Sequence, residues 1–126
     1  MRVSVSCIIP AWNEAARLPF VLRAVVGHPA VDEVIVVDDG IATGSTMSAA
    51  IELLRKRKAV RIVVAAPVAP HDTIRRLRGE ADEVVVLLEP ADFMAVGRWY
   101  EDFSQTSDED VRRLMADQKT RLAFPG

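Results

Sequence analysis

The chain has 126 residues, half of them apolar, with a formal charge of -2 and a sequence pI of about 5.7. That length supports one α/β core burying roughly two-thirds of its unfolded surface, and the acidic balance argues against a nucleic-acid-binding surface. No apolar run approaches the ~20 residues of a membrane span, and the single Cys7 excludes an internal disulfide.

The first predicted strand is Val3 to Pro10, alternating at its start and then continuously apolar. Cys7 lies inside it as a small hydrophobe, since no neighbouring cation would stabilise a thiolate. The chain opens straight into this pattern without a charged leader or an apolar signal segment, so a cytoplasmic protein is expected. Ala11 to Arg17 then forms a loop or first turn. Pro19 suits the first position of a helix carrying Phe20, Leu22 and Val25 to a stop at Gly27, with His28 as a surface residue beyond it.

The second strand, Val34-Ile35-Val36-Val37, is β-branched throughout, which suits a strand buried on both faces of a parallel sheet. It runs into Asp38, Asp39 and the small-residue loop Gly40-Ile41-Ala42-Thr43-Gly44-Ser45-Thr46, after which Met47, Ala50, Ile51 and Leu54 set a helical period. Two acids thus stand at the carboxyl end of a strand, where open α/β sheets bind ligands. Free N–H groups at the following helix start, with the hydroxyls of Thr43, Ser45 and Thr46, make a cup for a phosphate dianion. The acids would repel that anion unless they address something neutral or a metal, and a ribose diol bearing a 5′-phosphate satisfies both halves. No Lys follows the glycines, so this is not a P-loop. The plainer alternative is a strand-turn-helix whose hydroxyls only cap the helix.

Residues 38–46 resemble the phosphoribosyl pyrophosphate (PRPP) motif of type I phosphoribosyltransferases. The resemblance implies that Asp38 and Asp39 hold the ribose hydroxyls and that Ala42, Thr43, Gly44, Ser45 and Thr46 hold the 5′-phosphate, with Mg²⁺ as an expected companion of PRPP. The expected partner is therefore a phosphorylated ribose, or a phosphate or sulfate ion.

A second resemblance overlaps the first. Val5 to Glu14, with Asp32 to Gly40, resembles the amino-terminal strand-helix-strand of family 2 glycosyltransferases of the GT-A fold. It implies that Trp12, Glu14 and Asp39 hold a nucleotide, and it makes Trp12, Asn13, Glu14 and Arg17 a candidate nucleotide- or pyrophosphate-side loop. Those enzymes carry a later metal-binding Asp-x-Asp. The only such run here, Asp108-Glu109-Asp110, follows Ser107 and reads as a helix cap.

Beyond the loop, the second helix ends in Arg55-Lys56-Arg57-Lys58, a solvated cationic face opposing the helix dipole. Arg61 to Val68 is a third strand. Pro70-His71-Asp72-Thr73 opens a short helix with Ile74 and Leu77 inward and Arg75, Arg76 and Arg78 outward, and Asp82 to Glu89 is a fourth strand. His71 is a first-turn residue at the ligand end of the sheet. The aromatic stretch Phe93 to Phe103 must bury against something, and Ser107 caps a last helix through Val111, Leu114 and Met115. With Ser104 to Glu109, this stretch resembles the carboxyl-terminal end of a small bacterial phosphoribosyltransferase subgroup, whose aromatics can lie near the base or acceptor. That likeness spans about Asp32 to Lys119.

Two resemblances meeting in one Val-Asp-Asp-Gly string suggest a chimera joined in the second strand. The expected architecture is a four-stranded parallel sheet of order 1-2-3-4. Crossover helices lie on one face, and the carboxyl-terminal tail and helix, or a homodimer partner, on the other. The expected function is binding of PRPP or a nucleotide 5′-phosphate through residues 38–46, without full transferase activity, since Glu14 is the wrong charge for pyrophosphate and Arg17 stands alone. The alternatives are a recombinant α/β fold without selected activity and a nucleotide-sugar glycosyltransferase fragment.

Overall fold

The computed structural model describes residues 5–10 and 18–123. In chain order the elements are β1 (Ser6–Pro10), α1 (Leu18–Val25), β2 (Glu33–Val37), α2 (Ser45–Lys56), β3 (Ile62–Val68), α3 (His71–Arg78), β4 (Glu83–Leu88), a 3₁₀ turn (Val96–Trp99) and α4 (Asp108–Ala123). The four strands form one parallel sheet in the order β1-β2-β3-β4. This is the expected topology, reached because each strand returns through a crossover helix to the edge beside its predecessor.

The register explains the core. Cys7, Val34 and Ile62 are paired in one row, and Ile9, Val36, Val64 and Val84 in the next. All point to one face, because alternate residues of a strand share a side and the register keeps rows aligned. Leu22 of α1, Met47, Ala50, Ile51 and Leu54 of α2, and Ile74 and Leu77 of α3 complete this core from above. Three helices on one face are therefore held by a single apolar layer, each fully buried Leu or Ile contributing roughly 1.5–3 kcal/mol of transfer free energy. Leu54 has no exposed surface. Leu54→Ala is expected to lower unfolding free energy by about 2–5 kcal/mol, read as a shifted denaturant midpoint with unchanged slope.

The opposite face is built differently. At its amino-terminal edge the Ser6 hydroxyl donates to Glu33, and Arg61, just before β3, bridges Glu33 and Glu83. Towards the carboxyl edge the same face turns apolar, with Ile8, Val85 and Leu87 exposed and Ile35 and Val37 half-buried. Val111, Leu114 and Met115 of α4 are exposed as well. The last helix thus leaves its own apolar side chains in solvent, and the cover expected from it is not seen. Its start is as expected: Ser107 and Asp110 exchange hydrogen bonds in a reciprocal cap, with Asp110 N–H to Ser107 Oγ 3.2 Å and Ser107 N–H to Asp110 Oδ2 3.1 Å. Asp108-Glu109-Asp110 is accordingly a helix start.

Smaller elements follow local chemistry. α1 ends at Gly27, whose φ of 86° suits glycine. Of the apolar residues along α1, Phe20 is 72% exposed while Leu22 takes the core position. His28 lies at the surface, its Nδ1 accepting the Ala30 N–H. The cationic end of α2 is solvated, with Arg55 paired to Asp82 at 3.1 Å and Lys56 to Glu52 at 2.7 Å. Among the described residues no helix is long and apolar enough to cross a membrane.

Candidate functional site

The site begins where β2 ends. The Asp38 N–H still bonds to the Ala65 carbonyl of β3 at 3.2 Å, and the Ile41 N–H bonds to the Val68 carbonyl at 2.9 Å. Ile41 is buried, so the loop is anchored on the sheet at both ends of Asp38-Asp39-Gly40. Between these anchors both acids are carried past the carboxyl edge of the sheet, as their position in sequence requires.

Asp38 is half-buried, and its Oδ1 accepts the Asp39 N–H at 2.8 Å. Burial is the largest influence on its carboxyl and raises its pKa to about 6, with the adjacent Asp39 side chain adding to the rise against the lowering effect of that backbone bond. Asp38, with Gly40 to Met47, lines a cavity of about 180 Å³, whereas Asp39 lines a larger one of about 450 Å³ with Tyr100 and residues 102–106.

The smaller cavity is the cup. Gly44 occupies the residue before α2 with φ 74° and ψ 10°, a left-handed conformation that favours glycine. No side chain caps the helix there. The hydroxyls of Thr43 and Ser45 instead bond to each other at 2.9 Å, and Thr43 Oγ1 accepts the Ser45 N–H at 3.4 Å. The plain capping alternative accounts only for the Ser45 N–H. Here the N–H groups of Thr43 and Gly44 have no partner among the described residues, and a helix start so arranged favours an anion.

Two features are brought to the site by the tertiary fold: Thr73 and Arg76 of α3, which sequence reasoning did not place there, and the aromatic stretch, which the family resemblance set near the base or acceptor. From α3, the buried Thr73 donates its hydroxyl to the Ala42 carbonyl at 2.8 Å, and Arg76 donates to the Thr43 carbonyl. The position of Thr73 four residues before Leu77, on the inward stripe of α3, was the available signal. From the aromatic stretch, Tyr100 donates its hydroxyl to the Asp39 carbonyl and packs against Phe103 with ring centroids 5.1 Å apart. Burial, then the charges of Asp39 and Asp38, push the Tyr100 hydroxyl pKa upward, so it remains a donor at neutral pH. Val96 lies against Gly40, where a Cβ would strike its methyl groups. Tyr100 and Val96 of this stretch therefore lie against the acid loop, while Phe103 is 49% exposed.

Trp12, Asn13, Glu14 and Arg17 lie outside the described residues. His71 stands at the carboxyl edge as expected, its ring bonded to Glu89. Among the described residues no group of three His, Cys, Asp or Glu side chains could hold a metal ion.

Comparison with known proteins agrees with this geometry. The model of the phosphoribosyl transferase domain family matches residues 14–98. Proteins from two strains of Mycobacterium tuberculosis, named as candidate phosphoribosyl transferases, are each 51% identical over 77 residues, covering 61% of this chain and 17% of theirs. The crystal structure of TT1426 from Thermus thermophilus aligns with a TM-score of 0.57 and 40% identity, over 80% of this chain and 49% of that one. The chain thus spans about half of that structure and less than a fifth of the curated relatives. The family match begins at residue 14 and continues through α1 and the whole of β2, so a single family covers the strand in which a chimeric join was expected. Nothing in these comparisons supports a glycosyltransferase segment. By the match over residues 14–98, the chain belongs to the phosphoribosyl transferase domain family.

Proposed function

We propose that this chain binds the 5-phosphoribosyl group of PRPP, or of a nucleotide 5′-phosphate, through residues 38–46. The carboxylates of Asp38 and Asp39 accept from the ribose hydroxyls, and the amides of Ala42 to Thr46, with the loop hydroxyls, hold the phosphate. The observation that carries this reading is the pair of unpartnered amides at Thr43 and Gly44 beside a cavity of about 180 Å³ at the end of β2. The neighbouring 450 Å³ cavity, reached past Asp39 and walled by Tyr100 and Phe103, has room for the substituent on the ribose C1.

Mg²⁺ would enter with the ligand. The described residues offer two adjacent carboxylates and no third ligand, which suits an ion held mainly by substrate oxygens. Transfer itself calls for cations around the pyrophosphate, and the segment before α1 supplies Glu14 with Arg17. On that charge balance the chain by itself binds the phosphoribosyl group better than it transfers it.

The test is calorimetric titration of the chain with PRPP and Mg²⁺, with a uridine diphosphate sugar and Mn²⁺ in parallel. PRPP binding that disappears in Asp38→Asn/Asp39→Asn supports the proposal. A cooperatively folding chain that binds neither ligand would leave the loop as architecture only, and binding of the nucleotide sugar alone would favour the glycosyltransferase reading of residues 3–40.

A further inference from the structure

The cup is held open from behind. Its cavity is lined by Asp38 and residues 40–47, with no residue of α3 among them. Yet α3 touches the loop at two consecutive peptide groups, through Thr73 to the Ala42 carbonyl and Arg76 to the Thr43 carbonyl. In a trans peptide the C=O and the following N–H point in opposite directions. Fixing the Ala42 carbonyl on α3 therefore turns the Thr43 N–H away from α3, and fixing the Thr43 carbonyl turns the Gly44 N–H the same way. Both of these amides are without a protein partner among the described residues.

We infer that Thr73 and Arg76 are positioning residues that aim the Thr43 and Gly44 amides at the bound phosphate without touching it. This deepens, and rests on, the phosphoribosyl reading of the loop. Thr73 is 6% exposed, so its hydroxyl has a fixed place in the core. Arg76 is half-exposed, with Glu80 Oε1 3.7 Å from its Nε as a counter-charge that steadies the guanidinium. Its positive charge also lies behind the cup, on the side that favours an anion in front. Gly44 fits the same geometry: a Cβ there would come within 2.8 Å of both Arg76 Nη2 and Thr73 Cγ2, so α3 can approach the loop this closely only over a glycine.

The 126-residue chain, labelled with ¹⁵N and titrated with ribose 5-phosphate, tests the inference. In the wild type the Thr43 and Gly44 amide resonances are expected to shift on binding. Thr73→Val and Arg76→Gln, with unchanged unfolding transitions, are each expected to weaken binding about fivefold and to reduce those two shifts selectively. Thr73→Ser, which keeps the hydroxyl, is expected to restore affinity to within about twofold. If the wild type binds and both variants bind equally well with the same shifts, the inference is wrong while the cup stands. If the wild type binds neither ribose 5-phosphate nor inorganic phosphate, the cup falls and takes the inference with it. Should Thr73→Val fail to fold, Arg76→Gln, altered at an exposed side chain, decides alone.

Discussion

The double substitution Asp38→Asn/Asp39→Asn is expected to reduce affinity for PRPP by about 100-fold or more. Two hydrogen bonds to charged acceptors are lost, each worth about 1.5–3 kcal/mol, and every 1.4 kcal/mol is tenfold. Calorimetry at pH 7 reads this directly, and unchanged affinity would remove the acids from the ribose site. The same acid loop carries a stability cost. Asp38 has a folded pKa raised from 3.8 to about 6, chiefly because burial disfavours its charge. Between those pH values the folded state binds more protons than the unfolded state, so stability falls as pH rises through that window and stays lower above it. Solvent screening at a half-exposed carboxylate reduces the effect to on the order of 1 kcal/mol. The single variant Asp38→Asn is therefore expected to unfold at higher denaturant than wild type at pH 7 and to lose that advantage near pH 4. A variant less stable than wild type at pH 7 would contradict the assignment of burial as the dominant influence.

Gly44→Val is expected to cost about 1–3 kcal/mol of stability and to abolish phosphate binding. A β-branched residue at φ 74° is strained wherever it occurs. Here its Cβ also meets Thr73 and Arg76 at 2.8 Å, so relieving the clash means moving α3 off the loop carbonyls. Chemical denaturation measures the first effect and ribose 5-phosphate titration the second. A Gly44→Val protein that binds normally would show that the loop need not hold its left-handed turn.

The contrast between Phe20 and Thr73 illustrates how far residue patterns reach. Both fall where helical periodicity can be read, yet the large aromatic is at the surface and the small hydroxyl is buried. Periodicity identifies a face, but which residue of that face meets the sheet depends on how the helix is rolled, and α1 is rolled so that Leu22 joins the core. The aromatic stretch behaved similarly. Its composition demanded burial, and its partner became visible only when Tyr100 and Val96 were placed against Asp39 and Gly40. No local pattern could announce a pairing between residues 61 positions apart.

The strands, their parallel order, the three crossover helices and the acid-glycine-hydroxyl loop at the carboxyl end of β2 are legible in the residue pattern. These follow from short-range causes: β-branching, helical period, glycine turns and the right-handed crossover. Only the tertiary structure decided what surrounds that loop. It set Tyr100 on the Asp39 carbonyl and brought α3 behind the cup to hold the Ala42 and Thr43 carbonyls. Such contacts join segments distant in the chain, and they are fixed by how rigid layers pack rather than by any residue's own preference.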